Sequence, residues 1–330
     1  MNNEIDIVIP WVDGGDPEWL KEKNMTIFGD VGDQRVNRYR DWDNLQYWFR
    51  GVEKFLPWVR KIHFVTWGHL PKWLNTEHPK LNIVRHTDFI PKEYLPTFSI
   101  NPIELNFHRI PDLADRFIYS NDDTFFIKPL SPDFFFVDGL PVDSAIQNVL
   151  QFSRWDGISQ MVANDLNSLN HNFNKRQVMA ANKGKWFSLK YKKGLLMNLY
   201  TLPFYHFTGF VDPHMPNAFL KSTWVDVWEK CRDRLEIACN NKVRTNEDVN
   251  QWLMRYWQFA SGKFHPGNPN RGELFAIGED DEKIEKAIVG KTMPMICLSD
   301  DKIDVDFEKE KQFIISCFEK IFPEKSSFEK

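Results

Sequence analysis

Short apolar runs that each stop at polar residues constrain the fold of this chain more than any other feature. Such runs span residues 5–12, 61–67, 81–85 and 117–126 of the 330-residue sequence. Between the first two, the apolar residues of 45–56 share one helical face, and Pro57 ends that run. This alternation predicts an α/β, Rossmann-like fold with a mostly parallel sheet flanked by helices. In such a fold the ligand site lies at the carboxyl ends of the strands.

Two adjacent carboxylates, Asp122 and Asp123, interrupt the last and most aromatic of these runs. An ionised carboxylate in apolar surroundings needs a cation or hydrogen bonds to replace its lost hydration. One interpretation is that the pair holds Mg²⁺ or Mn²⁺ at the end of a buried strand. The other is a turn after the strand, with Asn121 and Asp122 as turn formers. The motif alone leaves both interpretations open.

The charge balance argues against an extended nucleic-acid interface. The chain carries 42 basic and 46 acidic residues, a formal net charge of −4, which gives no broad field for a polyanion. The first residues have neither the basic region nor the apolar region of a leader peptide. No stretch approaches the ~20 apolar residues of a membrane-spanning helix. The sequence therefore predicts a cytoplasmic protein.

The four cysteines are predicted to be free, buried thiols. They lie far apart at irregular spacing, without a Cys-x-x-Cys pair, which argues against a structural zinc site or a disulfide framework. Aromatic residues make up 15% of the chain, a share that suits core packing and equally permits stacking on sugars or bases. Carbohydrate or nucleotide binding is thus compatible with the composition without being established by it.

Changes in residue composition and hydrophobic pattern divide the chain into four predicted segments. Residues 1–146 carry the α/β pattern, 147–203 form a polar and basic helical insertion, 204–302 continue the main part, and 303–330 contain an amphipathic helix. The insertion is either a cover or acceptor-binding surface over a cleft, or a helical pair that merely packs on the core. The C-terminal helix is predicted to pack on the core rather than on a membrane surface.

Residues 101–109 combine a predicted helix start with polar side chains. Asn101 is the predicted N-cap, with Pro102 at the first helical position and Glu104 placed to complete a capping box. Glu104 and His108 lie four residues apart and would share a helix face, with Arg109 beside them. This pattern predicts a polar face just before the Asp pair and makes these three side chains candidate substrate-binding residues.

Two further segments contain candidates for acid–base and phosphate chemistry. His214 lies in a loop between Pro213 and Pro216, where a fixed backbone could place its imidazole as a general base. A hydrogen-bonded structural histidine is the alternative. Arg244 precedes a predicted cap at 245–248 and an amphipathic helix, an arrangement that suits a phosphate. A surface salt bridge is the alternative for this arginine.

The order of these motifs resembles that of the Stealth family of hexose-1-phosphate transferases, which includes bacterial capsule phosphotransferases and the catalytic subunit of the animal GlcNAc-1-phosphotransferase. Four blocks carry the resemblance: 6–17; then 38–41, 45–67, 71–75, 95–99, Glu104, 108–110 and 119–123; then 212–216 with 243–248; and finally 296–301. Together they cover most of residues 4–126 and 204–301. One departure is Ser299, since many relatives have asparagine before the aspartate of the fourth block.

The resemblance implies an enzyme with a GT-A-like fold that transfers a sugar together with its phosphate. The donor would be a UDP-hexose or UDP-N-acetylhexosamine, the acceptor a hydroxyl of a polysaccharide or lipid-linked glycan, and the products a phosphodiester and UMP. It further implies a Mg²⁺ or Mn²⁺ cofactor, a role in capsule synthesis, and peripheral contact with the inner membrane.

The resemblance also implies roles for individual residues. These are Asp13 and Asp16 at the nucleotide-sugar site, Glu104, Asp122 and Asp123 at the metal and donor-sugar site, His214 as base, Arg244 as phosphate clamp, and Asp300 from the fourth block. Asp122 and Asp123 are the expected metal ligands, and Asp123, His214 and Arg244 the expected catalytic residues.

Two other functions fit parts of the same pattern. A metal-dependent GT-A-like glycosyltransferase would use the Asp pair in a similar way but would break the bond at the anomeric carbon and release UDP. A non-catalytic polysaccharide-binding protein would account for the aromatic excess. The identity of the released nucleotide separates the two enzymes, and the loss of turnover in site variants separates both from a binding protein.

Overall fold

A computed structural model describes residues 4–27, 40–152, 158–300 and 305–330. The strands are β1 Ile5–Pro10, β2 Ile62–Thr66, β3 Leu81–Arg85, β4 Arg116–Tyr119, β5 Thr124–Phe126, β6 Phe136–Val137, β7 Leu140–Asp143, β8 Asn217–Leu220, β9 His265–Pro266, β10 Gly272–Ala276 and β11 Met295–Ser299. The helices are α1 Pro17–Thr26, α2 Leu45–Phe55, α3 His86–Phe89, α4 Ile100–Leu105, α5 Ile158–Asn172, α6 Lys175–Ala181, α7 Lys183–Trp186, α8 Gly194–Tyr200, α9 Lys221–Asn240, α10 Gln251–Ala260, α11 Asp281–Val289 and α12 Phe307–Ile321. Arg38 and Tyr39 of the second sequence block and Asp301 of the fourth lie outside the described residues.

Five strands form the main sheet in the order β3-β2-β1-β4-β8. β1 pairs in parallel with β2 on one side and with β4 on the other, β2 pairs in parallel with β3, and β8 runs antiparallel to β4. Because the direction of strand addition reverses at β1, the carboxyl ends of β1 and β4 border a crevice. The topology confirms the predicted α/β fold with a mostly parallel sheet.

Both faces of this sheet are covered by apolar side chains. Along β1, Val8 belongs to one buried layer, whereas Ile7 and Ile9 belong to the layer on the opposite face. The first layer includes side chains of α4, α9 and α10, and the second includes side chains of α2, α11 and α12. Burial on both faces explains why β1 is an uninterrupted apolar run rather than an alternating one.

The aromatic run at 117–126 forms two strands, one on each side of the Asp pair. β4 ends at Tyr119, and β5 begins at Thr124 in a second sheet of order β10-β11-β5. A turn joins them, because the backbone N–H and the hydroxyl of Thr124 both donate to the Asn121 carbonyl, at 3.2 and 2.8 Å. The Asp pair therefore lies in a turn between two sheets, as the turn interpretation predicted.

The segments outside the sheets are mainly helical. Residues 158–200 contain α5 to α8, and α5 packs against α10. The C-terminal helix α12 buries one apolar face in the core, as predicted. All four cysteines are free and buried, which confirms the sequence prediction. None of the helices in the described ranges combines the length and the apolar character needed to cross a bilayer.

Candidate active site

Two connected cavities open at the carboxyl ends of β1 and β4. The aromatic lobe has a volume of about 220 Å³ and is lined by Pro10, Trp11, Val12, Trp19, His86, Thr97, Phe98, Ser99, Ile100, Ile103, Asn121, Asp122 and Arg244. The histidine lobe has a volume of about 170 Å³ and is lined by Ile100, Asn101, Glu104, Tyr119, Asn121, Thr124, Ile158, Met161, His214, Met215, Asn217, Arg244, Asn250, Gln251 and Trp252. Because Ile100, Asn121 and Arg244 line both, the two lobes form one cleft at the predicted edge of the sheet.

The carboxylate of Asp123 contacts side chains from two distant parts of the chain. Its Oδ2 lies 3.3 Å from His214 Nε2 and 3.5 Å from Cys297 Sγ. The second sheet explains the contact with the thiol, because Cys297 on β11 is the antiparallel partner of Thr124 on β5. The backbone N–H of Leu298 also donates to the Asp123 carbonyl at 2.9 Å. The turn that carries the Asp pair is thus fixed to β11.

Asp122 points into the aromatic lobe and is held in an unfavourable electrostatic position. Its side chain is exposed to solvent in the cleft, while neighbouring protein atoms displace part of its hydration. This desolvation, together with the charges of Asp123 and Asp41, raises the pKa of Asp122 to about 7. A cation bound next to these carboxylates would relieve both effects.

His214 has two alternative hydrogen-bond partners at the same ring nitrogen. Nε2 lies 3.1 Å from Asn121 Nδ2 and 3.3 Å from Asp123 Oδ2. When the ring is neutral at Nε2, the Asn121 amide can donate to that nitrogen. When the ring is protonated there, Nε2–H can donate to the Asp123 carboxylate. His214 therefore has a hydrogen-bond partner at Nε2 in both its neutral and its protonated state.

A buried arginine, which sequence reasoning missed, fixes the loop that carries His214. The Arg255 guanidinium donates to both carboxylate oxygens of Asp143, at 2.7 and 2.8 Å, and to Asp212 Oδ1 at 2.6 Å. It also donates to the Val211 carbonyl at 3.0 Å, and the Tyr256 hydroxyl donates to Asp212. Helix α10 thereby anchors the two residues that precede Pro213 and His214.

We expect Arg255→Leu to destabilise the protein by about 3–5 kcal/mol, because it leaves the carboxylates of Asp143 and Asp212 without their buried partner. Urea unfolding at neutral pH would measure the loss. Arg232→Leu is the matched control, since Arg232 is exposed and pairs with Glu236 on the surface at 3.5 Å. That substitution should change stability by less than about 0.5 kcal/mol. Equal effects of the two substitutions would contradict the anchoring role.

Glu104 is a buried acid in the wall of the histidine lobe. Desolvation raises its pKa to about 7, although a hydrogen bond from the Tyr119 hydroxyl and the charges of Arg244 and His214 act in the opposite direction. The carboxyl group therefore changes charge near neutral pH. Its side chain can accept or donate a hydrogen bond in the cleft, depending on the protonation state.

We expect Glu104→Gln to stabilise the protein at pH 8.5 by about 3 kcal/mol and to have little effect near pH 4. The folded-state pKa lies above the ordinary value of 4.5, so the stabilisation from protonated Glu104 is complete below that value and is lost as pH rises through about 7. Glutamine mimics the neutral form at every pH. Thermal unfolding across this range would test the difference, with the exposed Glu93→Gln as control. A gain that does not depend on pH would contradict the assignment.

Arg244 lies on the wall that both lobes share, at the start of a structured turn. The Asp248 carboxylate fixes this turn by accepting from Asn101 Nδ2 and Asn241 Nδ2 at 2.7 Å each and from the Thr245 backbone N–H at 3.0 Å. From the insertion, Asn164 Nδ2 donates to the Asn246 and Asp248 carbonyls at 2.9 Å. Helix α5 thus braces the arginine loop, and its residues Ile158 and Met161 line the histidine lobe.

Both predicted helix caps in this region are wrong. Ser99, not Asn101, is the N-cap of α4, and Asn101 instead binds Asp248. The predicted cap at 245–248 is the separate turn, and α10 begins at Gln251 with Asn250 as its cap. Arg244 therefore does not lie at the N-terminus of α10, and its position in the cleft depends on the turn.

The predicted polar face of Glu104, His108 and Arg109 is also wrong. Helix α4 ends at Leu105, and a separate 3₁₀ turn at 107–109 rotates the later residues away. The side chains of His108 and Arg109 both pack against Trp228. The centre of the His108 ring lies 6.0 Å, and the Arg109 guanidinium 5.2 Å, from the centre of the indole ring. Burial lowers the pKa of His108 to about 3, helped by the charge of Arg109. These two residues line neither lobe.

Asp13 and Asp16 lie in the segment between β1 and α1, shortly after Pro10, Trp11 and Val12 of the aromatic lobe. Asp16 is the N-cap of α1, since its Oδ1 accepts from the backbone N–H groups of Glu18 and Trp19 at 2.9 Å. Asp13 Oδ1 accepts from Gly15, and the Asp13 backbone N–H donates to His69 Nε2 at 2.7 Å. Neither aspartate lines the lobe, but the turn and the helix start that they stabilise lie between its lining residues Val12 and Trp19.

Asp300 follows β11 directly and contacts residues near the start of the second sequence block. Its Oδ2 accepts from the Trp42 indole N–H at 3.2 Å, and its Oδ1 lies 3.6 Å from Arg40. Asp300 lines neither lobe, but it binds the segment that contains Asp41. The charge of Asp41 is in turn one of the causes of the raised pKa of Asp122.

The donor groups around the Asp turn fit a divalent cation. Asp123 Oδ1 is buried and accepts no hydrogen bond from the part of the chain that the structure describes. Ligand atoms of Asp123, His214 and Cys297 all lie within 4.8 Å of one another, and Asp122 is adjacent. Carboxylate oxygens suit Mg²⁺ or Mn²⁺, whereas thiolate suits softer metals, so the two carboxylates are the better ligands for the predicted ions.

Several cleft residues had no chemical signal in the sequence. The indoles of Trp11 and Trp19 and the ring of Phe98 line the aromatic lobe, where the aromatic excess of the chain is the nearest sequence signal. His86 also lines this lobe, and burial lowers its pKa to about 3, so it is neutral there. Cys297 lies inside the fourth block, but nothing in the sequence places it against Asp123.

Two family models match this chain. Stealth protein conserved region 1 matches residues 3–29, and Stealth protein conserved region 2 matches residues 38–142. A capsular polysaccharide phosphotransferase WcwK of Streptococcus pneumoniae is 41% identical over 334 residues, covering 100% of each chain. The chain belongs to the Stealth family. Because its full-length relatives are phosphotransferases, the chain is a phosphotransferase. This confirms the predicted family and enzyme class.

Other comparisons extend over the whole Stealth chain. The receptor polysaccharide phosphotransferase WefC of Streptococcus gordonii is 38% identical over 336 residues, covering 100% of each chain. Among solved structures, galactosyltransferase LgtC in complex with donor and acceptor sugar analogues aligns with 94% of this chain and 95% of its own, at 9% identity and a TM-score of 0.40. The full-length relatives also span the third and fourth sequence blocks, which lie beyond the two family models.

Proposed function

We propose that this Stealth enzyme transfers a hexose-1-phosphate, and specifically an N-acetylhexosamine-1-phosphate, from a UDP-sugar to an acceptor hydroxyl in capsular polysaccharide synthesis. The observation that carries the proposal is the convergence of Asp122, Asp123, His214 and Arg244 on one cleft from three distant parts of the chain. Carboxylates for a cation, an imidazole for a proton and a guanidinium for a phosphate are the groups that phosphoryl transfer requires.

In the proposed reaction the acceptor oxygen attacks the β-phosphorus of the UDP-sugar. The new P–O bond forms while the bond from the β-phosphorus to the bridging oxygen breaks, and UMP leaves with that oxygen. The sugar keeps its bond to phosphate, so the product is a phosphodiester. His214 Nε2 accepts the proton of the attacking hydroxyl, and Asp123 then stabilises the imidazolium across the 3.3 Å contact.

The shared wall of the cleft is where we place the pyrophosphate. Arg244 there offers a forked donor to phosphate oxygens, and Asn121 can donate through its amide. Asp122 and Asp123 would hold Mg²⁺ or Mn²⁺, which when bound would offset negative charge on the phosphoryl oxygens. Cys297 contributes a neutral thiol against Asp123 in this proposal.

The two lobes suit the two ends of the donor. The aromatic lobe, with Trp11, Trp19 and Phe98, fits a nucleobase and ribose. Asp13 and Asp16 keep their proposed assignment to this nucleotide-sugar site through the turn and helix start that they stabilise. The histidine lobe, with Glu104 and Tyr119, offers hydrogen bonds to sugar hydroxyls and amides. His108, Arg109 and Asp300 contact neither proposed part, and Asp300 acts in this proposal through Arg40 and Trp42. The acceptor is a polysaccharide or lipid-linked glycan, and we keep the predicted cytoplasmic location.

Identification of the released nucleotide tests the proposal. The purified protein is incubated with single UDP-sugars, Mg²⁺ and a glycan acceptor, and nucleotides are separated by chromatography. UMP that accumulates with acceptor and is absent with His214→Ala supports sugar-1-phosphate transfer. Release of UDP would instead establish the alternative, a glycosyltransferase reaction, and would overturn the proposed chemistry.

A further inference from the structure

The insertion has a charge that sets it apart from the rest of the molecule. Residues 166–211 contain seven lysines and arginines and not one aspartate or glutamate, whereas the whole chain has a formal net charge of −4. Lys190, Lys192 and Lys193 are exposed, and so are Arg176 and Lys183. A block of like charge of this kind attracts an anionic partner.

The same segment exposes large apolar side chains in an unusual concentration. Leu189 is 85% exposed, and along α8 Leu196, Leu199 and Tyr200 are 66%, 48% and 63% exposed. The last three are spaced i, i+3 and i+4, so they form one outward face of the helix. Exposed apolar residues that cluster, rather than lie scattered, mark an interaction surface.

A groove lies next to the residues that follow α8, and basic and apolar side chains both line it. It has a volume of about 540 Å³ and is lined by Arg176 and Lys183 together with Leu202 and Pro203. The Arg176 guanidinium lies 5.8 Å from the Tyr205 ring, and buried Lys175 donates to the Thr201 carbonyl at 2.6 Å. These contacts join the chain at 201–205, which follows α8 directly, to α6.

We propose that this basic apolar surface, formed by the exposed side chains of 189–205 with Arg176 and Lys183, docks the protein on an anionic lipid bilayer. Lysines around a row of leucines and tyrosine match a bilayer surface, where cations meet lipid phosphates and apolar side chains enter the interface. An anionic polysaccharide would satisfy the lysines and stack on Tyr200, but it offers no apolar volume for Leu189, Leu196 and Leu199. The leucines therefore favour the bilayer.

Docking does not depend on the reaction proposed for the cleft, but it would affect the position of the His214 loop. The docking segment leads through residues 206–211 into Asp212 and the loop of His214, and Asn170 anchors the intervening Phe207 through hydrogen bonds of 2.9 Å in both directions. Docking would hold that loop at a fixed distance from the membrane, where a lipid-linked acceptor would be within reach.

Vesicle co-sedimentation of the full chain tests the docking. At low salt we expect binding to vesicles of phosphatidylcholine and phosphatidylglycerol in equal parts, and little binding to phosphatidylcholine alone. Each lysine near an anionic surface is worth about a fivefold change in partitioning, so Lys190→Gln/Lys192→Gln/Lys193→Gln should weaken binding about a hundredfold. Leu196→Ser/Leu199→Ser should weaken it by at least about tenfold, since apolar insertion is lost.

A matched triple variant controls for net charge. Lys21→Gln/Lys72→Gln/Lys286→Gln removes three exposed lysines outside the insertion and should bind anionic vesicles as the wild type does, within about twofold. Two results would overturn the proposal: no binding of the wild type to the mixed vesicles, or equal loss in the two lysine variants. A third would assign the surface to a polysaccharide, namely retention on an anionic polysaccharide column that the leucine substitutions leave unchanged. UMP release in solution is assayed separately, so failure of docking and failure of the proposed reaction are distinguishable.

Discussion

Replacing His214 by alanine is expected to lower kcat by about 10²–10⁴-fold while the fold and donor binding persist, because loss of a positioned general base has an effect of this size. The imidazole has a partner for each protonation state, Asn121 for the neutral ring and Asp123 for the protonated ring. Steady-state UMP release at saturating UDP-sugar would measure kcat, and circular dichroism would verify the fold. KM for the donor should change by less than about tenfold.

His206→Ala is the matched control for this substitution, since His206 is an exposed histidine in the same segment. It should leave kcat within about twofold of the wild type. Equal losses in both variants would indicate a structural effect on the loop. Unchanged turnover of His214→Ala would remove the histidine from the reaction altogether.

Replacing Asp123 by asparagine is expected to abolish divalent-cation binding and to lower kcat by at least about 10³-fold, because a bound metal ion stabilises transition-state charge by several kcal/mol. The Asp123 carboxylate has a buried oxygen without a protein partner in the described ranges, and its charge raises the pKa of neighbouring Asp122. Calorimetric titration with Mn²⁺ in the absence of donor measures the cation directly, independently of activity.

Two further variants sharpen the cation experiment. Asp133→Asn replaces an exposed aspartate in the turn before β6 and should leave Mn²⁺ affinity unchanged. Cys297→Ser should change that affinity by less than about threefold, because a thiol is a poor ligand for a hard cation. Loss of Mn²⁺ binding in Cys297→Ser would instead make the thiol a ligand. Full binding by Asp123→Asn would exclude the Asp pair as the metal site.

The sequence predicted those parts of the fold that depend on local pattern. The apolar stripe of 45–56 forms α2, and the runs at 5–12, 61–67 and 81–85 contain adjacent parallel strands. β1 and β2 are buried throughout, as expected for strands covered on both sheet faces, whereas the outer strand β3 is mostly half-buried. The run at 117–126 was harder to predict, since its aromatic residues suit one strand and two strands in different sheets equally well. Hydrogen bonds to the Asn121 carbonyl, rather than composition, decide where the first strand ends.

Element ends were the weak part of the prediction. Ser99, Asn101 and Asn106 can all make local side-chain hydrogen bonds near α4, and the sequence does not rank them. Asn101 is recruited by Asp248 from a distant turn, which leaves Ser99 as the cap. At the other end, the helix stops at Leu105, and the separate 3₁₀ turn that follows places His108 away from Glu104.

Family resemblance named several residues that the structure brings together, but it did not predict their contacts. His214 and Asp123 are 91 residues apart, and they meet because β8 pairs with β4 and places the histidine loop beside the Asp turn. Arg255 carried no signal at all, since an arginine in an amphipathic helix is ordinarily on the surface. Its burial follows from the two carboxylates that face it, Asp143 and Asp212, which lie in other segments.

The fate of the β-phosphate tests the central claim most directly. The enzyme is given a UDP-N-acetylhexosamine radiolabelled in the β-phosphate, together with Mg²⁺ and a glycan acceptor, and glycan and nucleotide are then separated. We expect the label to move into the glycan with the sugar in equal amounts and unlabelled UMP to be released. Label that stays with the nucleotide, as UDP, while the sugar is transferred would contradict the central claim.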